Sequence, residues 1–83
     1  MKVLQYPLAT EKAITQIERN NEITFIVDFR STKTEITEEF ESTFKVKVDS
    51  VNIINQSDNN KKAVIKLDKA FKAGDVAIKL KIV

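Results

Sequence analysis

Residues 32–48 read TKTEITEEFESTFKVKV, and a change of period inside this stretch decides the fold. Thr32 with Glu35 three residues on is a capping-box signature for a helix start. Ile36, Phe40 and Phe44 then recur at four-residue spacing, which puts them on one helical stripe. Glu35, Glu38, Glu39 and Glu41 lie largely off that stripe and read as a solvated face. From Val46 the period becomes two, through Val48, Val51 and Ile53, as expected of a strand. The phase changes at Asp49-Ser50, which suggests a bulge. An aromatic-striped helix running directly into a strand calls for a sheet beneath the helix.

Working outward, Val3 to Leu8 reads as a short extended segment, because Pro7 lacks an amide donor and biases Tyr6 away from helical geometry. Thr10 is a candidate N-cap, with Glu11 in the first turn and Ala13, Ile14 and Ile17 on one side; this helix should end near Arg19, with Asn20-Asn21 as the turn. Ile23, Phe25, Val27 and Phe29 alternate with Thr24, Ile26 and Asp28, a strand buried mainly on one face, and the phenylalanines read as core. Residues 55–60 form a polar loop leading to a strand over Lys61–Leu67, with Ala63, Ile65 and Leu67 facing one way. After a connection over 68–74, Asp75–Leu80 reads as a short helix. The order strand, helix, strand, helix, strand, strand, helix is that of an α+β sandwich of antiparallel strands with interleaved helices, one domain over residues 1–83.

A chain of 83 residues buries only about 60–65 % of the surface its unfolded form exposes, so it is marginal alone and favours a partner. Hydrophobic residues make up 42 % and charged residues 31 %, a globular balance. No stretch approaches the roughly 18 apolar residues of a membrane span, so membrane insertion and secretion are not expected, and a cytoplasmic setting is. The net charge of +2 is uneven: residues 1–44 hold five basic and eight acidic residues, residues 45–83 nine basic and four acidic. The basic half suggests one face that meets a polyanion.

Cysteine and histidine are both absent, which removes catalytic triads, thiolate nucleophiles and most zinc sites together. The helical glutamates offer too few convergent oxygens for a cation, and no metal or other cofactor is expected. The single glycine, Gly74, leaves no phosphate-cradling loop. An acylphosphatase would need a glycine-rich anion loop beside its arginine, whereas Arg30 is followed by Ser31-Thr32. An RNA-recognition motif would flank its strand aromatics with glycines, which Phe25 and Phe29 lack. No enzymatic activity is expected.

Three ordered stretches are similar to one family. Tyr6-Pro7-Leu8-Ala9-Thr10-Glu11-Lys12-Ala13 resembles the opening proline, hydroxyl, glutamate and lysine of the universal large-subunit ribosomal protein twenty-three family. Thr32-Lys33 through Ile36 to Phe44-Lys45-Val46-Lys47-Val48, then Val51-Asn52, resembles its central helix and following strand. Lys61-Lys62-Ala63-Val64-Ile65-Lys66-Leu67, with Val76 beyond, resembles its C-terminal signature. The short loop over 55–60 looks like the archaeal form. The chain departs from the family at Val64, where an aromatic is frequent, at Phe29 and Thr37, where basic residues are, at Ile53, where a threonine is, and at Asp68. The losses at Phe29 and Thr37 lower the positive charge beside the second helix.

The resemblance implies a structural protein bound to large-subunit ribosomal RNA near the polypeptide exit tunnel, beside other large-subunit proteins. Signal recognition particle or other exit-site factors would dock there, with Glu11 matching the glutamate of the opening motif. Lys61, Lys62, Lys66, Lys33, Arg30, Lys45 and Lys47 are the candidate phosphate contacts, because compact cationic donors neutralise backbone charge without requiring a base sequence. The alternative is a protein-interaction module without RNA, for which the acidic second helix speaks.

Overall fold

The structure, a computed structural model, describes residues 3–55 and 61–82. Its elements run β1 (Leu4–Pro7), α1 (Glu11–Asn20), β2 (Glu22–Val27), α2 (Lys33–Phe44), β3 (Val48–Asn55), β4 (Lys61–Leu67) and α3 (Ala73–Lys79). The helix that opens at Thr32 does so through a complete capping box. The Glu35 amide donates to Thr32 Oγ1 at 3.2 Å, and the Thr32 amide donates to Glu35 Oε1 at 3.0 Å, so two orphan amides of the first turn are satisfied reciprocally. The helix ends where Lys45 takes φ 55°, in the left-handed region, and donates its amide to the Glu41 carbonyl.

The four strands pair antiparallel in the order β1-β2-β4-β3. Register places Ile23 opposite Ile65 and Phe25 opposite Ala63, with Val51 and Ile53 next across on β3. Of these, Ile23, Phe25, Val51, Ala63 and Ile65 are buried together with Ile36, Phe40 and Phe44 of α2. Phe40 sits edge-on to Phe25 at 5.9 Å and 81°, and 4.8 Å from Phe44. Ala73, Val76 and Ala77 of α3 close the same core. The other sheet face carries Tyr6, Thr24, Ile26, Asn52, Ile54, Lys62, Val64 and Lys66 by the same alternation. Thr24 Oγ1 on that face donates to Gln16 Oε1 of α1 at 3.3 Å, while Ile17 of α1 reaches the main core. The architecture is the expected α+β arrangement, and the β3 register slips between Val48 and Ser50, where the bulge was read.

Four expectations need correction. Phe29 is not core: β2 ends at Val27 and Phe29 is 48 % exposed. The cause is a turn in which Asp28 Oδ1 accepts the Arg30 amide at 2.9 Å and the Asp28 carbonyl accepts the Ser31 amide at 3.0 Å, rotating the intervening residue outward. The α2 glutamates are not simply a solvated face. Glu35 completes the cap, Glu39 Oε2 accepts the Val3 and Leu4 amides at 2.9 and 2.7 Å, and Glu41 Oε2 accepts the Val48 amide at 2.8 Å. Finally, α3 starts at Ala73, before Asp75, because the Ala73 amide donates to Asn21 Oδ1 and so fixes the first turn. β3 likewise begins at Val48 instead of Val46, since the left-handed Lys45 first turns the chain. The loop at 56–60, on which the archaeal reading rests, lies outside the described residues.

Asn21 ties the α1–β2 turn to the β4–α3 connection. It caps α1 at φ 58°, its Nδ2 donates to the Leu67 and Phe71 carbonyls at 3.3 and 2.9 Å, and its Oδ1 accepts from Ala73 at 2.6 Å. Glycine would tolerate the backbone but lose these bonds. Asn21→Gly is therefore expected to destabilise the domain by about 2–4 kcal/mol, from three side-chain hydrogen bonds at roughly 0.5–1.5 kcal/mol each. Urea unfolding checks this; a neutral or stabilising effect would mean that only the turn conformation matters.

Candidate nucleic-acid interface

Strand β4 determines where its lysines can act. Side chains alternate at period two, so Lys61 and Lys62, adjacent in sequence, point to opposite faces. Lys61 pairs with Val27 and lies on the face covered by α2, where its Nζ donates to the Ser31 carbonyl at 2.8 Å. Its ammonium thus closes the β2–α2 turn. Lys62 pairs with Ile26 and Ile54 on the other face, and Lys66, four residues on, shares that face opposite Glu22 and Ser50. Along a strand, that spacing is about 13 Å.

The remaining candidates lie at the two ends of α2. Lys33 opens the helix, and Arg30 stands in the turn before it, near Lys61. Lys45 caps its far end and Lys47 follows, its carbonyl accepting the Asp68 amide at 2.9 Å. A helix of 12 residues separates the two groups by about 18 Å. The seven candidate cations therefore do not form one face. Arg30, Lys33 and Lys61 gather at one end, Lys45 and Lys47 at the other, and Lys62 and Lys66 on the second sheet face.

Electrostatics distinguishes Arg30 within its group. Its guanidinium lies 5.5 Å from the Phe29 ring centre, and its Nε is 3.5 Å from Asp28 Oδ1. The Arg30 amide, against a smaller opposing desolvation and with help from the Arg30 guanidinium and Lys61, holds the Asp28 carboxyl below its ordinary value. A carboxyl lowered on folding contributes stability above its unfolded value and loses it as pH falls through the folded one. With the Arg30 side chain 77 % exposed, the ion pair is screened and leaves the guanidinium accessible to solvent.

Glu11 is the exposed first residue of α1. Behind it Thr10 Oγ1 accepts the Ala13 amide at 3.2 Å, and the Glu11 carbonyl accepts from Thr15 Oγ1 at 2.9 Å. Its carboxylate stands at the positive end of the helix dipole, facing solvent. Sequence reasoning overlooked Lys12, which with Lys62 rims a shallow pocket of about 80 Å³ between α1 and the sheet. Only the strand alternation, followed across to the helix, could have paired them. Among the described residues no group of three acidic side chains is placed to hold a metal ion, and no helix is long and apolar enough to cross a membrane.

A family profile described as Ribosomal protein L23 matches residues 2–80. The chain belongs to the ribosomal protein L23 family. All three stretches that carried the resemblance lie inside the match. The chain is also 43 % identical over 82 residues to "Large ribosomal subunit protein uL23" of Trypanosoma brucei brucei, covering 99 % of this chain and 50 % of that protein. It thus spans about half the length of the curated relative it matches.

For this member of the L23 family, Lys61 and Lys62 are expected to respond unequally to truncation. Lys61→Ala removes a charge-assisted bond to Ser31 and should cost about 1–2 kcal/mol, several degrees of melting temperature. Lys62→Ala should shift melting by less than about 0.5 kcal/mol equivalent. Thermal melts of the two variants side by side test the assignment, and equal shifts would refute it.

Proposed function

We propose that this chain is a structural constituent of the large ribosomal subunit, without enzymatic activity, held by contacts to ribosomal RNA phosphates near the polypeptide exit tunnel. The observation that carries this reading is the family match over residues 2–80. Its relative at 43 % identity is itself named as a large-subunit protein. The chemistry supports RNA as the partner, because Lys62 and Lys66 on the second sheet face and Arg30, Lys33, Lys45 and Lys47 at the ends of α2 offer cations at several points of the surface. Lys61 belongs to this set only in part, since its ammonium is engaged by Ser31. Neighbouring large-subunit proteins complete the site, and the setting is cytoplasmic and ribosome-associated.

On this reading the chain co-sediments with large subunits through a sucrose gradient in high salt. Free chain at the top of the gradient would overturn it. Lys62→Glu with Lys66→Glu should weaken binding to a large-subunit RNA fragment and make the dependence of log affinity on log salt shallower by about two units, one for each lost phosphate contact. An unchanged slope would remove both lysines from the interface.

The same reading gives Glu11 the docking role. A carboxylate at an exposed helix start suits an arginine of signal recognition particle or another exit-site factor, through a bidentate pair. Ribosomes carrying Glu11→Ala should bind signal recognition particle more weakly, while the isolated chain loses only about 0.3–1 kcal/mol from the helix dipole. Normal factor binding would reduce Glu11 to a helix-start residue.

A further inference from the structure

The second sheet face is covered by α1 over Thr24, and around that cover it has an order of side chains that phosphate binding alone does not use. Tyr6, Ile26, Lys62 and Ile54 stand in one row across β1, β2, β4 and β3, each the register partner of the next. Tyr6 is 53 % exposed and Ile54 47 % exposed, while Ile26 between them is 6 % exposed. An aromatic ring thus lies at one edge, an aliphatic side chain at the other and an ammonium between, over about 14 Å given the spacing of paired strands. Beside Ile54 lies the pocket floored by Leu8, Ala13 and Val64 and rimmed by Lys12 and Lys62, with no carboxylate among its lining residues. Of the strand residues that register places on this face, Glu22 is the acidic one, and it stands across from Lys66, away from the row.

Apolar, cationic, apolar is the chemical order of a dinucleotide step, base, phosphate, base. We propose that this face binds an unpaired dinucleotide segment of RNA, with one base stacked on Tyr6, the neighbouring base set against Ile54 and Val64, and the linking phosphate held by Lys62 and Lys12. The assignment rests on the RNA-binding reading above and deepens it. A base-paired helix would offer this face a row of phosphates and no exposed base, so Tyr6 and Ile54 would stay uncovered. An unstacked strand instead satisfies both the ring and the lysines, since every base has a flat apolar face and stacking on an aromatic is sequence-tolerant. The face accordingly selects for single-stranded RNA more than for sequence.

The test uses the full chain with a short unstructured RNA carrying the fluorescent base 2-aminopurine, and with a duplex of the same sequence. The single strand should bind more tightly than the duplex, with a change in 2-aminopurine emission on binding. Tyr6→Ala should weaken single-strand binding on the order of tenfold, abolish part of the emission change and leave the salt slope unaltered. Lys62→Gln should make that slope shallower by a little under one unit. Both residues are partly or largely solvent-accessible, and melting curves verify the fold; Tyr6→Leu, which keeps an apolar side chain without a ring, serves if Tyr6→Ala is unstable. Equal affinity for duplex and single strand, or full affinity in the Tyr6 variants, overturns the proposal. So does tighter binding of an acidic aromatic peptide than of RNA at the same face. With normal co-sedimentation on large subunits, those results leave the ribosomal reading standing. Failure to bind either RNA together with failure to co-sediment overturns both.

Discussion

The contact on which the rest of the structure depends is the packing of Phe40 against Phe25 and Phe44. Phe25 sits on β2, one of the two inner strands, and Phe40 lies near the middle of α2, so this pair, with buried Ile36 and Phe44 one turn to either side, sets the helix across the centre of the sheet. Such pairs contribute about 0.5–1.5 kcal/mol beyond the area they bury, a sizeable share in a domain this small. The orientation of α2 then has consequences at its ends. One end must lie near the Ser31 turn and the other at Lys45, so the two groups of basic residues are held apart by the length of the helix.

The polar half of α2 completes what the phenylalanines begin. Glu39 accepts two amides at the start of β1 and Glu41 accepts the first amide of β3. These are the two outer strands of the sheet. Open backbone donors on outer strands invite pairing with other chains. Here part of that edge is closed by carboxylates of the same helix that covers the core, through charge-assisted hydrogen bonds stronger than neutral ones. The acidic helix is thereby largely spent on internal structure, which removes the main support for a module that binds proteins through it.

What could be read in advance was local. The Thr32–Glu35 cap, the Ile36-Phe40-Phe44 stripe and the slip at Asp49-Ser50 each depend on residues within one or two turns of chain, and each stands as read. Phe29 misled because alternation carries no information on where a strand stops; the Asp28 turn that ejects it uses a side-chain hydrogen bond two residues long. The roles of Asn21 and Glu39 were invisible for the opposite reason, since their partners lie up to 52 and 36 residues away. The candidate site was half legible. Period two already places Lys61 and Lys62 on opposite faces, but the bond from Lys61 to Ser31 and the meeting of Lys12 with Lys62 arise only when helices are laid against the sheet.

On the RNA-binding reading proposed above, the separation of the cations bears on how RNA would be held. The chain measures 31 × 26 × 19 Å, and the candidate cations occupy both ends of α2 and the second sheet face. A single duplex groove would engage one of these groups and leave the others in water. Several RNA segments converging on the domain would engage them all, each phosphate contact adding its own increment to the salt dependence. Ligand that binds only the folded form also stabilises it by mass action. On that reading a domain too small to bury a large core would gain stability from an RNA environment on several sides, and its aromatic core would need only to be firm enough to present the cations in fixed positions.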